Sequence, residues 1–321
     1  GLILNFFDWH FVFWFVLPIA IAATIIGALR IKSNEIVNTA SIDLVSVVYS
    51  VLAFGGLVYW LSSFGEAARG NAAVSPWWLV VLGAAFMALF ISRQIKLAKT
   101  DRALLNLGTF KSHNFSVGIS LMLVTVLIMF GFSILLPIYT QQGLGMDALS
   151  TGLAMLPGGL AMGLLSPVVG GMYDKFGARK LLIPASIAVG AVLWFMTTWD
   201  SNTQLLEILI TYLVFMVGLG FFFTPLFALS MGSVEPQLYS HASATVGALQ
   251  QVGGAAGTAI FVTVFTLASV AAGGSGSAVD GVAVSAGVHQ AFILGAVLWL
   301  ATPVLALMVR APKVSQKESN D

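Results

Sequence analysis

Phe115–Tyr139 reads FSVGISLMLVTVLIMFGFSILLPIY, a run of 25 residues without Asp, Glu, Lys, Arg or His. As an α-helix it reaches about 37 Å, more than the ~30 Å hydrocarbon core of a bilayer. Its apolar residues do not alternate with polar ones, so a half-exposed strand is excluded. A helix apolar on every side has no face for water and belongs inside a protein core or in lipid.

The rest of the chain decides between those two. Of 321 residues 58% are hydrophobic and 8% charged, with a mean hydropathy of +0.96. A soluble domain carries roughly 25% charged residues, so the first run is read as one of several membrane-spanning helices. Nine spans are marked: Trp9–Leu29, Asp43–Ser62, Pro76–Ser92, Phe115–Tyr139, Ala148–Met172, Leu181–Thr198, Leu205–Met231, His241–Ala271 and His289–Val309. The fold class is an all-α polytopic membrane protein. Its first partner is the lipid bilayer and its expected location the cell membrane, as a multi-pass protein.

Loop charge supplies an independent check, because Lys and Arg gather on the cytoplasmic side of short loops. Arg30 and Lys32 follow span one; Arg93, Lys96, Lys99, Arg102 and Lys111 follow span three. Lys175, Arg179 and Lys180 follow span five, and Arg310, Lys313 and Lys317 lie in the tail. Of the 14 basic residues, Arg69 alone falls on the other side. The C-terminus is therefore expected in the cytoplasm.

Several functions are excluded or disfavoured by composition. A net charge of +1 argues against nucleic acid, and the absence of cysteine excludes disulfides and thiolate chemistry. The four histidines are scattered over different spans, so no metal site is expected and no cofactor is implied. With so few charges there is no catalytic cluster in view, and an enzyme is not expected.

The organisation is uneven. Residues 43–92 form a two-helix hairpin, and 93–114 a basic loop that intersperses Ile95, Leu97, Leu104, Leu105, Leu107 and Phe110 with charges. Such a loop is expected to lie on the membrane interface as an amphipathic segment. Residues 115–310 form a compact set of six spans. The outer loop Gly273–Gly287 is rich in Gly, Ser and Ala, and the tail 311–321 is polar and expected to be disordered.

Small and polar residues inside the spans carry the functional signal. Gly159 and Gly163, and again Gly253 and Gly257, lie four apart, a spacing that lets helices approach closely. Either static packing or sliding of helices accounts for it. Seven prolines, Pro18, Pro137, Pro157, Pro167, Pro184, Pro225 and Pro303, fall in or at the edge of spans, where each removes a backbone donor. Both flexible cavity-lining helices and ordinary membrane-helix composition fit that count. The turn after span five runs Gly170-Gly-Met-Tyr-Asp174-Lys175-Phe-Gly177-Ala-Arg179-Lys180. Asp174 is expected near the start of span six, complementing its amides, and Gly177 permits a sharp reversal.

Two acidic residues touch a span, and a proton-coupled carrier needs one that holds and releases a proton. Asp43 opens span two, where capping the helix is the simpler reading. Glu207 stands about one turn inside span seven, either as an interfacial carboxylate favoured by the helix dipole or as a group for proton access.

The turn resembles the Gly-x-x-x-Asp-Arg/Lys-x-Gly-x-Arg/Lys signature of the major facilitator superfamily in its second-half copy. Ala178 departs from it, standing where a basic residue is common. Other stretches resemble the fourteen-span drug:proton antiporters of the EmrB/QacA type, nearest their lincomycin-resistance branch. They are Trp9-His-Phe-Val-Phe-Trp-Phe-Val-Leu-Pro18-Ile, Leu107-Gly-Thr-Phe110-Lys-Ser-His-Asn-Phe115 and Leu136-Pro137-Ile-Tyr139-Thr-Gln141-Gln142. Gly152-Leu-Ala-Met-Leu-Pro157-Gly158-Gly159 and Gln250-Gln251-Val-Gly253-Gly254-Ala-Ala-Gly257 complete the set.

The resemblance implies that residues 1–30 are the last helix of an N-terminal bundle, 43–92 an extra central hairpin, and 115–310 the complete C-terminal six-helix bundle. The rest of the N-terminal bundle is then missing ahead of Gly1, and is an expected partner. It further implies export of amphipathic small molecules in exchange for protons by alternating access. Gly170, Asp174, Lys175, Gly177 and Arg179 would act as a conformational switch. Spans four, five, seven and eight would wall the substrate cavity with Tyr139, Gln141, Met155, Phe222, Thr224, Gln250 and Gln251. For the two glutamines, hydrogen bonding between helices is the competing reading. A metabolite importer and a non-transporting membrane scaffold or sensor remain rival functions.

Overall fold

The structure, a computed structural model, describes residues 8, 10–30, 43–68, 76–100, 102–200, 203–273 and 281–310. Gly1, Lys32, Arg69, residues 274–280 of the Gly/Ser/Ala-rich loop and the tail beyond Arg310 lie outside the described residues. All regular structure among the described residues is helical: α1 (His10–Arg30), α2 (Leu44–Ala68), α3 (Pro76–Ala98), α4 (His113–Ile138) and α5 (Ala148–Phe176). There follow α6 (Ala178–Met196), α7 (Leu205–Gly232), α8 (Tyr239–Ala271), α9 (Gly281–Trp299) and α10 (Ala301–Leu307). Eight helical stretches are long and apolar enough to cross a membrane, and α2 adds the apolar stretch Leu44–Trp60.

The centres of the spans agree with the sequence reading and several ends do not. Helix α2 runs on to Ala68 and takes Glu66 into its last turn, making it a third acidic residue that touches a span. Helix α3 continues through Arg93 and Lys96 to Ala98, because nothing in SRQIKLA breaks a helix. The segment 93–114 is therefore not one interfacial loop. Its middle is strapped to the hairpin and to the bundle: Gln94 Oε1 of α3 accepts from Leu105 N–H at 3.1 Å, and His241 Nδ1–H of α8 donates to Leu104 O at 3.3 Å. Leu107–Lys111 form a 3-10 turn capped by Asn106. The ninth span starts eight residues earlier than expected, at Gly281, and is divided at Leu300 into α9 and α10.

That division has a local cause. Pro303 has no N–H for the carbonyl of Trp299, one turn back, and the Thr302 hydroxyl fills the gap at 2.8 Å. The Trp299 indole in turn donates to Ser186 O at 2.7 Å, fastening α9 to α6 inside the core.

Helices α4 to α10 share one core. Helix α4 packs against α8, α7 and α9, α7 against α5 and α6, and the hairpin leans on α8 through α2. At the centre the Phe132 ring stacks on Phe292 at 5.0 Å and meets Phe215 and Phe261 at 5.5 and 5.7 Å. The α4–α8 contact needs Gly257, where a methyl group would collide with the Leu127 carbonyl. Inside the hairpin a Cβ on Gly83 would stand 3.1 Å from the Leu57 amide. Among the described side chains of α1 all are exposed except at Gly27, which is half-buried.

One end of the bundle is tied shut by polar groups. Asn114 Nδ2–H donates to Arg310 O and Asn114 Oδ1 accepts from Arg310 N–H, both at 3.0 Å, and His113 Nε2–H donates to Met308 O at 3.0 Å. The starts of α4 and α8 therefore lie beside the ends of α3 and α10, where Lys96, Lys99, Lys111 and Arg310 stand.

Candidate functional site

Helix α5 leaves one face open, carrying Leu153, Leu156, Leu160, Leu164 and Val168, between 46% and 75% exposed. Gly159 and Gly163 belong to this open face, with nothing near enough to meet an added Cβ. The close approach that four-residue spacing suggested for them occurs one position earlier. Gly158 is buried, and a methyl there would stand 2.8 Å from the Tyr212 ring of α7. On α8, Gly253 faces Leu123 and Val126, and Gly257 faces the α4 backbone.

Away from the helix ends, the polar side chains of α4, α5, α7 and α8 are uncharged. Ser166 Oγ and Thr224 Oγ1 lie 3.3 Å apart across α5 and α7. Gln250 Nε2–H points at Met122 Sδ at 3.8 Å, joining α8 to α4, while Gln251 beside it is exposed. Met155 is half-buried against the core, and Gln141 is exposed in a π-helical turn, Tyr139–Gly143, that ends α4. An apolar wall with isolated amides and hydroxyls suits a bulky amphipathic molecule that is held by area and steered by a few hydrogen bonds.

Two of the expected cavity residues are elsewhere. Tyr139 is 1% exposed; its hydroxyl donates to Asp200 O at 2.6 Å and its ring stacks on Trp199 at 5.6 Å. It closes the end of the core opposite the basic one. Phe222 is fully buried, its ring 5.2 Å from that of Trp299, so it faces α9 and α6 and not the open face. A helix apolar all round gives no phase from which such facing is read.

The turn between α5 and α6 also differs from expectation in one respect. Asp174 is exposed in the last turn of α5, and the first turn of α6 begins only at Ala178. Gly177 caps both helices at φ 77°, a left-handed conformation that strains any residue with a side chain. Lys175 and Arg179 stand exposed on either side of it.

Among the described residues, the acidic side chains of the bundle stand at helix ends or in the connections between helices. Glu207 is half-buried in the first turn of α7, facing the positive end of the helix dipole. Asp147 caps α5 and accepts from Ser150 N–H at 3.0 Å, and the Ser150 hydrogen bonds lower its pKa. Asp43 does more than open α2. Arg93 grips it with two hydrogen bonds, Nε to Oδ2 at 2.6 Å and Nη2 to Oδ1 at 2.8 Å, and the Ser46 hydroxyl donates to it as well. Arg93 first and Ser46 second hold its carboxyl well below the usual carboxylate range. Sequence reasoning missed this pair because 50 residues separate its members. The signal was present, in an acid at the start of one hairpin helix and a base near the end of the other. Among the described residues, no group of three or more acidic or histidine side chains is placed to hold a metal.

Comparison with known proteins agrees in one direction. A profile described as Major Facilitator Superfamily matches residues 1–258. The chain is similar to the lincomycin resistance protein LmrB of Listeria monocytogenes, 33% identical over 98% of this chain and 66% of that protein. It is also similar to that of Bacillus subtilis, 29% identical with the same coverage. The multidrug resistance protein B homolog of Mycobacterium tuberculosis is 25% identical over 83% of this chain and 49% of its own length. The chain thus spans about two thirds of the length of the lincomycin resistance proteins it matches.

Proposed function

Because the chain belongs to the major facilitator superfamily, a family of membrane transporters, we propose that it forms the larger part of a drug-efflux carrier driven by proton exchange. The observation that carries this reading is the co-linear similarity to lincomycin resistance proteins over 98% of the chain. The exposed apolar face of α5 and the neutral polar groups on α7 and α8 support it, with Gln250, Gln251, Thr224 and Met155 as contacts for amphipathic drugs. Gln141 stands at one mouth. The opposite wall comes from an N-terminal helical bundle, of which α1 is the last helix, and α2–α3 is a hairpin between the two bundles. Residues 115–310 are then the C-terminal bundle.

In this reading the cavity opens to alternate sides as the two bundles rock. The α5–α6 turn (Gly170, Asp174, Lys175, Gly177 and Arg179) switches between the two states at the bundle interface. Its basic end faces the cytoplasm, as does the C-terminus, in a bacterial plasma membrane. Glu207, at the other end, is the candidate for proton access. No chemistry is performed on the solute, so the protein is not an enzyme.

The test is drug accumulation in cells stripped of their own efflux pumps and expressing the complete reading frame. Lincomycin and ethidium should accumulate several-fold less than in control cells, and a protonophore should abolish the difference. Unchanged accumulation, or a difference that survives collapse of the proton gradient, would sink the proton-driven export reading.

A further inference from the structure

Beside the α4 start there is a cleft of about 860 Å³ between the end of α3, the 3-10 turn and the α7–α8 connection. Lys99 and Lys111 line it, together with the Asn106 and Ser112 side chains, and Glu235 is the single acid among its lining residues. The starts of α4 and α8 and the ends of α3 and α7 all lie at its rim, so the helix dipoles oppose one another there and the two lysines set its charge. Ile95, Val234 and Leu238 continue the lining toward the apolar stretches of the helices. The cleft exists because the hairpin rests on the bundle through α2, while the end of α3 meets the 3-10 turn and the Leu105 amide. A wedge is left that opens between membrane helices at the level where they emerge.

From this arrangement we propose that the cleft binds an anionic glycerophospholipid. Its phosphate lies between the Lys99 and Lys111 ammonium groups, and an acyl chain runs along Ile95 and Leu238. A phosphate diester matches the two lysine ammonium groups. A free phosphate would satisfy the same cations but would leave the apolar continuation empty. Glu235 accepts from a headgroup hydroxyl, which favours phosphatidylglycerol. The bound lipid fills the wedge between hairpin and bundle and so couples the position of the hairpin to the surrounding membrane. The proposal rests on the helices spanning a bilayer and is independent of which solute is carried.

The experiment uses the purified full chain in detergent, with added phosphatidylglycerol, phosphatidylethanolamine or phosphatidylcholine, and with inorganic phosphate. Retained lipid is counted by native mass spectrometry, and the unfolding midpoint is followed in parallel. Phosphatidylglycerol should be retained and raise the midpoint, with phosphatidylcholine and inorganic phosphate having no effect. Lys99→Gln with Lys111→Gln should weaken retention on the order of 30-fold, about five-fold for each charge removed. The same loss of charge at Lys96 and Lys180, outside the cleft, should leave retention unchanged, and Glu235→Ala, which removes the acceptor of the headgroup hydroxyl, should weaken it. Equal retention by both double variants would overturn the proposal. So would a preference for phosphatidylethanolamine that Glu235→Ala abolishes, or stabilisation by inorganic phosphate alone. None of these readouts depends on transport, so a failed drug assay with retained phosphatidylglycerol would strike only the functional reading.

Discussion

At Gly257 and Gly159 the same residue type has opposite consequences, and the difference is testable. A methyl at Gly257 meets the Leu127 carbonyl, a backbone atom that cannot swing aside, whereas a methyl at Gly159 meets open space. Gly257→Ala is therefore expected to cost about 1–3 kcal/mol through overpacking, and Gly159→Ala to change stability by less than about 0.5 kcal/mol. Thermal unfolding of the purified variants in detergent measures both, and equal midpoints would contradict the packing described. Asp43 gives a second residue-scale expectation, in pH. Its folded pKa is depressed by Arg93 and Ser46, so its stabilising contribution is complete above the unfolded value of about 4. That contribution disappears as pH falls through the lowered folded value. The unfolding midpoint of Asp43→Asn should lie below that of the unaltered protein by a constant margin from about pH 5 to 8. The margin should close only under stronger acid. A margin that changed near pH 6 would mean that another group titrates against Arg93. The four-residue glycine spacing was legible in the sequence, but which glycine of Gly158 and Gly159 turns inward was not. On a helix without an amphipathic phase, one residue of rotation leaves no trace in composition.

Single helices were legible to different depths for a related reason. An apolar block of about twenty residues is a one-dimensional signal, so every expected span centre coincides with a helix. Ends depend on local breakers and on partners far away in sequence. Helix α3 ran past its apolar block because its charged continuation favours helix and Gln94 finds the Leu105 amide. The resemblance implies a cavity position for Phe222 and Tyr139, yet Trp299 and Trp199 hold them in the core. The break between α9 and α10 was foreshadowed by Pro303, but its repair by Thr302 required the fold. Thr302→Val keeps the shape and removes the hydroxyl, leaving the Trp299 carbonyl without that partner. The loss should be about 1 kcal/mol, read as a lowered unfolding midpoint. Thr302→Ser should restore most of it. If the valine variant were as stable as the parent, the carbonyl would have found another donor and the proline break would owe nothing to Thr302.

For the molecule as a whole, the two ends of the bundle differ in charge and in fastening, and that asymmetry makes orientation measurable. The basic end carries Lys99, Lys111, Lys175, Lys180 and Arg310 and is closed by the Asn114–Arg310 pair. The other end carries Asp200 and Glu207 and is closed by Tyr139. A bilayer with a cytoplasmic anionic leaflet favours the first end inside. Because the chain has no cysteine, a single introduced thiol is a clean reporter of side. Lys180→Cys lies at the start of α6 and Gln204→Cys at the start of α7, with α6 between them. A membrane-impermeant maleimide added to intact cells should label Gln204→Cys and spare Lys180→Cys. Permeabilised cells should label both. The opposite pattern would invert the bundle and move the basic cleft to the outer leaflet. Labelling of both positions in intact cells would mean that α6 does not cross the membrane, and alternating access across this bundle would then have no structural basis.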